Sequence, residues 1–88
     1  MLKISTIERG EEAVRIRIDG QISGEGVKLL RETCTGHLDE GLKLSVDLQN
    51  VSFVDRDGVA ALQNLQRHKV EFLNAPLFVT EQLRELKS

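Results

Sequence analysis

Aromatic side chains are scarce in this sequence, which has three phenylalanines and neither tryptophan nor tyrosine. A surface that binds nucleic acid by base stacking needs several rings on a basic background. The formal net charge is only -2, and the basic residues are scattered along the chain rather than clustered. The electrostatic attraction for a phosphate backbone is therefore missing as well. We expect no nucleic-acid partner.

Cysteine is also nearly absent, because Cys34 is the single example and cannot form an internal disulfide. A lone thiol is compatible with a reducing compartment. Nowhere do about 18 apolar residues follow one another, and the amino-terminal residues carry no apolar run of signal-peptide length. We expect a soluble, cytoplasmic protein without membrane insertion. Its 88 residues suffice for one domain, residues 1–88.

Alternation of apolar and polar residues predicts the strands. Residues 13–19 and 42–48 alternate with a period of two, and residues 2–7 are also predicted to form a short strand. A short charged turn between residues 2–7 and 13–19 predicts an antiparallel pair. A fourth strand is predicted for residues 75–79, where Pro76 would stand at the strand's start.

Apolar residues at helical spacing predict three helices. The first follows Ser23, a candidate N-cap, and Gly41 is its expected left-handed stop. The second begins at about Asp57 and continues to a left-handed C-cap at Asn74. Thr80 is expected to cap a last helix over residues 81–87.

Clean alternation in the second and third strands requires one face of the sheet to meet water. That face carries polar residues from both strands: Arg15, Arg17, Asp19, Lys43, Ser45 and Asp47. Helices placed on the other face by right-handed crossovers require strands laid down in steady order. We therefore predict a two-layer α/β fold, with a mixed four-stranded sheet of order 1-2-3-4 and about three helices on one face.

The turn at residues 55–58, with sequence Asp-Arg-Asp-Gly, lies between a strand's carboxyl end and a helix's amino end. α/β proteins often place function at such turns, and the helix dipole attracts an anion there. A calcium loop with Gly58 at its sixth position would put Phe53 first and Asn64 twelfth, and neither suits those positions. A phosphoacceptor aspartate needs a cluster of acidic residues, and Asp19 alone does not provide one. Taken alone, the pattern favours Asp57 as a helix N-cap and Asp55 as an exposed turn residue.

Residues 46–62, with sequence VDLQNVSFVDRDGVAAL, resemble the signature of the STAS domain family, which includes the anti-sigma factor antagonists. That signature is a strand with aspartate, a hydrophobic loop, Asp-Ser-Ser-Gly and then a helix. Residues 74–79 resemble the family's Gly-Ala-Pro continuation, and residues 13–20 followed by a helix match its opening. The resemblance covers nearly the whole chain.

The resemblance implies a bacterial regulator of transcription that acts by binding partners. In the family's antagonists, an anti-sigma factor kinase phosphorylates the second serine of Asp-Ser-Ser-Gly, and this weakens the complex. Asp57 occupies that phosphoacceptor position here, and Arg56 occupies the first serine's position. A fixed carboxylate carries about one negative charge against roughly 1.5 to 2 for a phosphoserine. We therefore expect a signalling protein without the serine phosphoswitch; Ser52 does not match the acceptor position.

The predicted partner-binding surface is the hydrophobic loop, the acidic turn and the exposed side of the following helix. It comprises Ser52, Phe53, Val54, Asp55, Arg56, Asp57, Gly58, Gln63, Asn64 and Arg67. The expected partner is an anti-sigma factor of the serine-kinase type. Alternatively, the chain is an accessory subunit of an ABC-type lipid transporter and binds its ATPase. We expect a monomer or a weakly associating homodimer.

Enzymatic activity is not expected, because the sequence has no phosphate loop, nucleophile elbow or paired acid and base. His37 and His68 lie on separate predicted helices without a third ligand, which argues against a metal site. Cys34 lies on the apolar side of its helix, which favours a buried structural thiol over a nucleophile. No cofactor is expected; the family fold has been associated with nucleotide binding, but no residue here argues for it.

Overall fold

The computed structural model describes residues 2–85, which form one sheet and a layer of helices. The elements in chain order are β1 (Leu2–Arg9), β2 (Ala13–Ile22), α1 (Glu25–Asp39), β3 (Lys43–Val54), α2 (Arg56–Arg67), β4 (Glu71–Leu73) and α3 (Leu77–Glu85). No helix within residues 2–85 has both the length and the apolar character needed to cross a bilayer.

The four strands lie in the order β1-β2-β3-β4. β1 pairs antiparallel with β2, whereas β2, β3 and β4 run parallel to one another. The short turn between β1 and β2 dictates the antiparallel pair, and the helical connections α1 and α2 permit the parallel ones. The predicted mixed sheet of order 1-2-3-4 with three helices is confirmed.

The core lies between the sheet and the helices. Apolar side chains of β2 and β3 meet in register, with Val14 opposite Leu44 and Ile16 opposite Val46. The helices cover them with fully or almost fully buried apolar side chains: Val27, Leu30, Cys34, Val59, Leu62, Leu65, Val79 and Leu83. Among residues 2–85 no polar or charged residue is buried, so burial of apolar area is the main stabilising contribution.

The other face of the sheet carries the predicted polar residues. Asp19 accepts hydrogen bonds from Arg17 Nε to Oδ2 at 3.4 Å and from Asn50 Nδ2 to Oδ1 at 2.7 Å. Ser45 Oγ donates to Glu71 Oε1 at 3.3 Å. The Asn50–Asp19 bond links β3 with β2 and the Ser45–Glu71 bond links β3 with β4, on the side of the sheet that no described helix covers.

The two ends of α1 differ in how well the sequence predicted them. Gly41 is left-handed, with φ of 79°, as predicted, and its N–H donates to the Leu38 carbonyl at 2.9 Å. The predicted N-cap at Ser23 is wrong, because Gly24 occupies the N-cap with φ of 55° and no side chain caps the helix. A positive φ suits glycine, and it turns the Gly24 N–H away from the helix and toward the neighbouring turn.

α2 is shorter than predicted. It ends at Arg67, where Lys69 adopts a left-handed conformation with φ of 63° and the Val70 N–H donates to the Leu65 carbonyl at 3.1 Å. The apolar residues that follow form β4 instead of a last helical turn. Asn74 is left-handed as predicted, with φ of 53°, but it follows β4 rather than a helix.

The fourth strand predicted at residues 75–79 is wrong, because α3 begins at Leu77. The Pro76 carbonyl accepts the N–H groups of Val79 at 3.0 Å and Thr80 at 3.2 Å, which starts the helix. Proline is favoured at a helix start because its φ is already helical and it has no N–H to leave unpaired. Thr80 therefore lies inside α3 rather than at its cap, and residues 86–87 of the predicted last helix lie outside the described part of the chain.

Candidate functional site

The turn after β3 lies beside the turn after β2. The two parallel strands end together, with Ile22 opposite Val54, so the segments leading into α1 and α2 emerge from one edge of the sheet. In open α/β sheets the carboxyl edge of the parallel strands is where binding sites form. Residues 52–58 of the predicted partner-binding surface therefore lie at this edge.

Asp55 holds this turn together. It is the N-cap of α2, and its Oδ1 accepts the Gly58 N–H at 2.7 Å. Its Oδ2 accepts the Gly24 N–H at 3.1 Å, and its own N–H donates to the Ile22 carbonyl at 3.1 Å. Both carboxylate oxygens are thus used within the domain, and one side chain links the starts of α1 and α2.

The prediction that Asp57 caps the helix and that Asp55 is an exposed turn residue is therefore wrong. Asp55 is half-buried and caps α2, whereas Asp57 lies exposed in the first turn. Two aspartates in one turn are equally good N-caps by residue type. Asp55 is the cap because the Gly58 N–H, three residues later, lies within reach of its side-chain oxygen.

Gly58 packs directly against the end of β2. A Cβ added there would lie 2.5 Å from the Ile22 carbonyl oxygen and 2.8 Å from Val54 Cγ1. Both distances are far shorter than a carbon atom tolerates, and a backbone oxygen cannot rotate away. Glycine is therefore required if the first turn of α2 is to pack directly on β2.

Not every residue of the predicted surface is exposed. Val54 is only 1% exposed and Gly58 is buried, so these two support the turn from beneath. Ser52, Phe53, Arg56 and Asp57 are exposed, and Phe53 is 49% exposed. Asp57 carries a negative charge at the positive end of the helix dipole, which is a favourable position.

The exposed side of α2 continues this surface. Arg56, Ala60, Asn64 and Arg67 are exposed and recur at helical spacing, and we call these four residues the α2 ridge. Gln63, which was predicted to belong to the binding surface, is half-buried, and its Nε2 donates to the Leu83 carbonyl at 3.0 Å. It therefore joins α2 to α3.

Two exposed apolar residues at the start of α3 were missed from the sequence. Leu77 is 73% exposed and Phe78 is 39% exposed. They follow β4, which runs parallel to β3, and Gln82 Nε2 ties α3 to the turn by donating to the Val54 carbonyl at 3.1 Å. Their exposure was not expected because residues 75–79 were predicted to form a strand. The four-residue spacing of Val79 and Leu83, following a proline, was the signal for a helix.

The single cysteine, Cys34, lies on α1, outside this turn. Cys34 is fully buried as predicted, and desolvation raises the pKa of its thiol from 9.0 to about 12. A thiol of this kind is protonated and unreactive at neutral pH. Within the described residues, no three His, Cys, Asp or Glu side chains come together as metal ligands would.

The motif at residues 46–62 consists of a strand, an acidic turn and a helix that begins with small and aliphatic residues. The structure has these parts in that order. The family model described as "Mlab, STAS domain" matches residues 5–86. The chain belongs to the STAS family. This STAS domain is similar in fold to the anti-sigma factor antagonist SpoIIAA in its unphosphorylated form, with a TM-score of 0.75. The match covers 93% of this chain and 82% of that chain at 17% sequence identity. None of the proteins with curated descriptions is significantly similar to this STAS domain.

Proposed function

We propose that this STAS domain is a non-enzymatic docking module that binds another protein through the turn after β3 and the α2 ridge. The supporting observation is that different residues of the turn hold its backbone and face the solvent. Asp55 and Gly58 fix the backbone by internal contacts, while Arg56 and Asp57 remain exposed on it. Exposed charges on a rigid support are suited to recognising a complementary surface.

The first candidate partner is an anti-sigma factor of the serine-kinase type, and the domain would then regulate transcription as an antagonist. The family's phosphoacceptor serine is replaced by Asp57, and the residue before it is Arg56, so neither position offers a hydroxyl. Binding would not be switched off by phosphorylation at this turn. Asp57 supplies a permanent charge smaller than that of a phosphoserine.

The second candidate is a permanent accessory subunit of an ABC-type lipid transporter, docked on its ATPase. A turn without a hydroxyl suits a constitutive subunit as well as an unregulated antagonist. The family model that matches this chain is moreover described by the name Mlab rather than as an anti-sigma factor antagonist. Both candidates use the same surface and differ in the protein that covers it.

A pull-down from native extract, read by mass spectrometry, separates the two. The test variant is Arg56→Glu, which reverses a charge on the α2 ridge. Arg31→Glu is the matched control, because it makes the same change on an exposed position of α1. We expect the wild type and the Arg31 variant to capture the partner and the Arg56 variant to lose it.

Recovery of a kinase-like anti-sigma factor supports the antagonist, and recovery of an ATPase with membrane subunits supports the transporter subunit. Equal recovery by the wild type and the Arg56 variant would place the contact elsewhere and overturn the proposed surface.

Incubation with ATP and a recovered kinase tests the missing phosphoswitch. We expect no phosphate on the wild-type protein and phosphorylation of the Asp57→Ser variant, which restores the acceptor hydroxyl. Phosphate on Ser52 or Ser45 of the wild type would show that a switch operates through another serine.

A further inference from the structure

The outer side of β1 is an open strand edge. β1 spans Leu2–Arg9 and stands at the end of the sheet, paired with β2 on one side only. An edge of this length presents a row of N–H and C=O groups ready to pair with another strand. Ile7, which lies on this edge, is 47% exposed.

A β-bulge in β1 changes which side chains share a face. Lys3 lies opposite Asp19 and Glu8 lies opposite Arg15, and the register shifts between Thr6 and Glu8. Without the bulge, residues five positions apart would point to opposite faces. The bulge therefore brings Lys3 and Glu8 to the same face, the polar face of the sheet. Ile4 and Thr6, opposite Ile18 and Ile16, point to the helix-covered face.

This arrangement makes β1 complementary to itself. If a second copy of the strand runs antiparallel about a two-fold axis at Ser5, Ser5 meets Ser5, Ile4 meets Thr6, and the bulge brings Glu8 opposite Lys3. Every one of these pairs joins residues of the same face, as antiparallel pairing requires. The two-fold axis generates the Lys3–Glu8 pair twice.

We propose that β1 is the self-association surface of this protein, and that two copies join their sheets into one of eight strands through antiparallel β1 pairing. Bulges and charges on an edge strand commonly prevent self-pairing. Here the bulge places opposite charges face to face, so the same features select one register. Two strand edges bury less area than a standard stable interface, so the dimer is concentration-dependent.

Charge reversal tests the pairing directly. In the Lys3→Glu variant residues 3 and 8 are both negative, and in the Glu8→Lys variant both are positive. Two copies of the same variant therefore repel each other. Mixed together, the two variants regain both pairs. Sedimentation analysis should show that the mixture associates with a dissociation constant about tenfold lower than either variant alone. The double variant, with both charges exchanged, should associate like the wild type.

Cross-linking tests the position of the two-fold axis. The Ser5→Cys variant should form a disulfide-linked dimer under mild oxidation, because the two introduced side chains face each other. Gln21→Cys, an exposed position on β2 away from the edge, is the matched control and should cross-link more slowly. Cys34 is fully buried and does not compete.

Three results would overturn the proposal. One is a wild-type protein that stays monomeric at about 1 mM, a concentration at which even small interfaces associate. Another is a mixture of the two charge variants that associates no better than its components. The last is equal cross-linking of the Ser5 and Gln21 variants. Circular dichroism of each variant, compared with the wild type, identifies loss of fold as a separate cause.

Discussion

Asp55 and Asp57 stand in the same turn and have the same side chain, but only Asp55 makes hydrogen bonds to two separate segments of the chain. The residue type is identical, so the difference comes entirely from which backbone N–H groups lie within reach. Local sequence cannot supply that information, because the Gly24 N–H comes from a turn 31 residues earlier.

Replacing each aspartate by alanine should therefore have unequal effects. We expect Asp55→Ala to lower the free energy of unfolding by about 2 kcal/mol, because it removes an N-cap and a second link to Gly24. Asp57→Ala should change it by less than about 0.5 kcal/mol, since the residue is exposed. Urea denaturation measures both, and equal losses would contradict the assignment of Asp55 as the cap.

Two glycines in helices give a second comparison. Gly58→Ala should destabilise by about 1–3 kcal/mol because the new methyl group meets the Ile22 carbonyl oxygen. Gly36→Ala should stabilise by up to about 1 kcal/mol, because nothing lies within 4 Å of a Cβ there and alanine is the better helix former. Thermal denaturation followed by circular dichroism would check the opposite signs. A Gly58 variant as stable as the wild type would show that α2 can move away from β2.

At the scale of elements, the sequence predicted the first three strands, α1 and the sheet order. The predicted end of the third strand is wrong, because β3 continues to Val54 through the segment predicted to be a hydrophobic loop. The sequence prediction also failed after Leu65, where the apolar residues fit the end of a helix and a turn followed by a strand equally well. The decision there rests on Lys69 adopting a left-handed conformation, which lysine rarely does. No local sequence pattern predicts a left-handed lysine at this position.

The segment after Asn74 provides a test of helix against strand. In a strand Leu77 and Val79 would point to the same face, whereas in α3 Val79 is buried and Leu77 is exposed. We expect Val79→Ala to cost about 2 kcal/mol of stability through lost burial. Leu77→Ala should cost less than about 0.5 kcal/mol. Similar losses in equilibrium unfolding would favour the strand.

At the scale of the site, Ser52, Phe53, Arg56 and Asp57 of the predicted surface are exposed, whereas Val54 and Gly58 are buried. The exposure of Leu77 and Phe78 was not predicted, because it depends on α3 following a strand, β4, that pairs in parallel with β3. That pairing connects segments far apart in sequence. A binding surface assembled from several elements can be recognised from sequence only after the topology is known.

For the whole molecule, burial of Cys34 links stability to pH. The pKa of its thiol is raised to about 12 in the folded protein by desolvation, above the ordinary value of 9.0. The folded state therefore keeps a proton that the unfolded state loses between these values. This contribution to stability is fully present below about pH 9 and is lost as the pH rises toward 12.

We expect the free energy of unfolding to fall above pH 9 with a slope of up to about 1.4 kcal/mol per pH unit from this thiol. A Cys34→Ala variant should lack that part of the slope, because it has no thiol to ionise. Urea denaturation at several pH values between 8 and 10.5 measures the difference in free energy of unfolding between the wild type and this variant. That difference would stay constant with pH if the thiol were accessible in the folded state.

The carboxylate of Asp55 joins the connections that lead into α1 and α2, so the platform beneath Arg56 and Asp57 is assembled before any partner arrives. Ordering of a mobile loop is one of the main entropic penalties of association, and this domain has already incurred it on folding. Complexes at this surface should consequently form with small changes in backbone structure, and a weakened complex should reveal itself in faster dissociation rather than slower encounter.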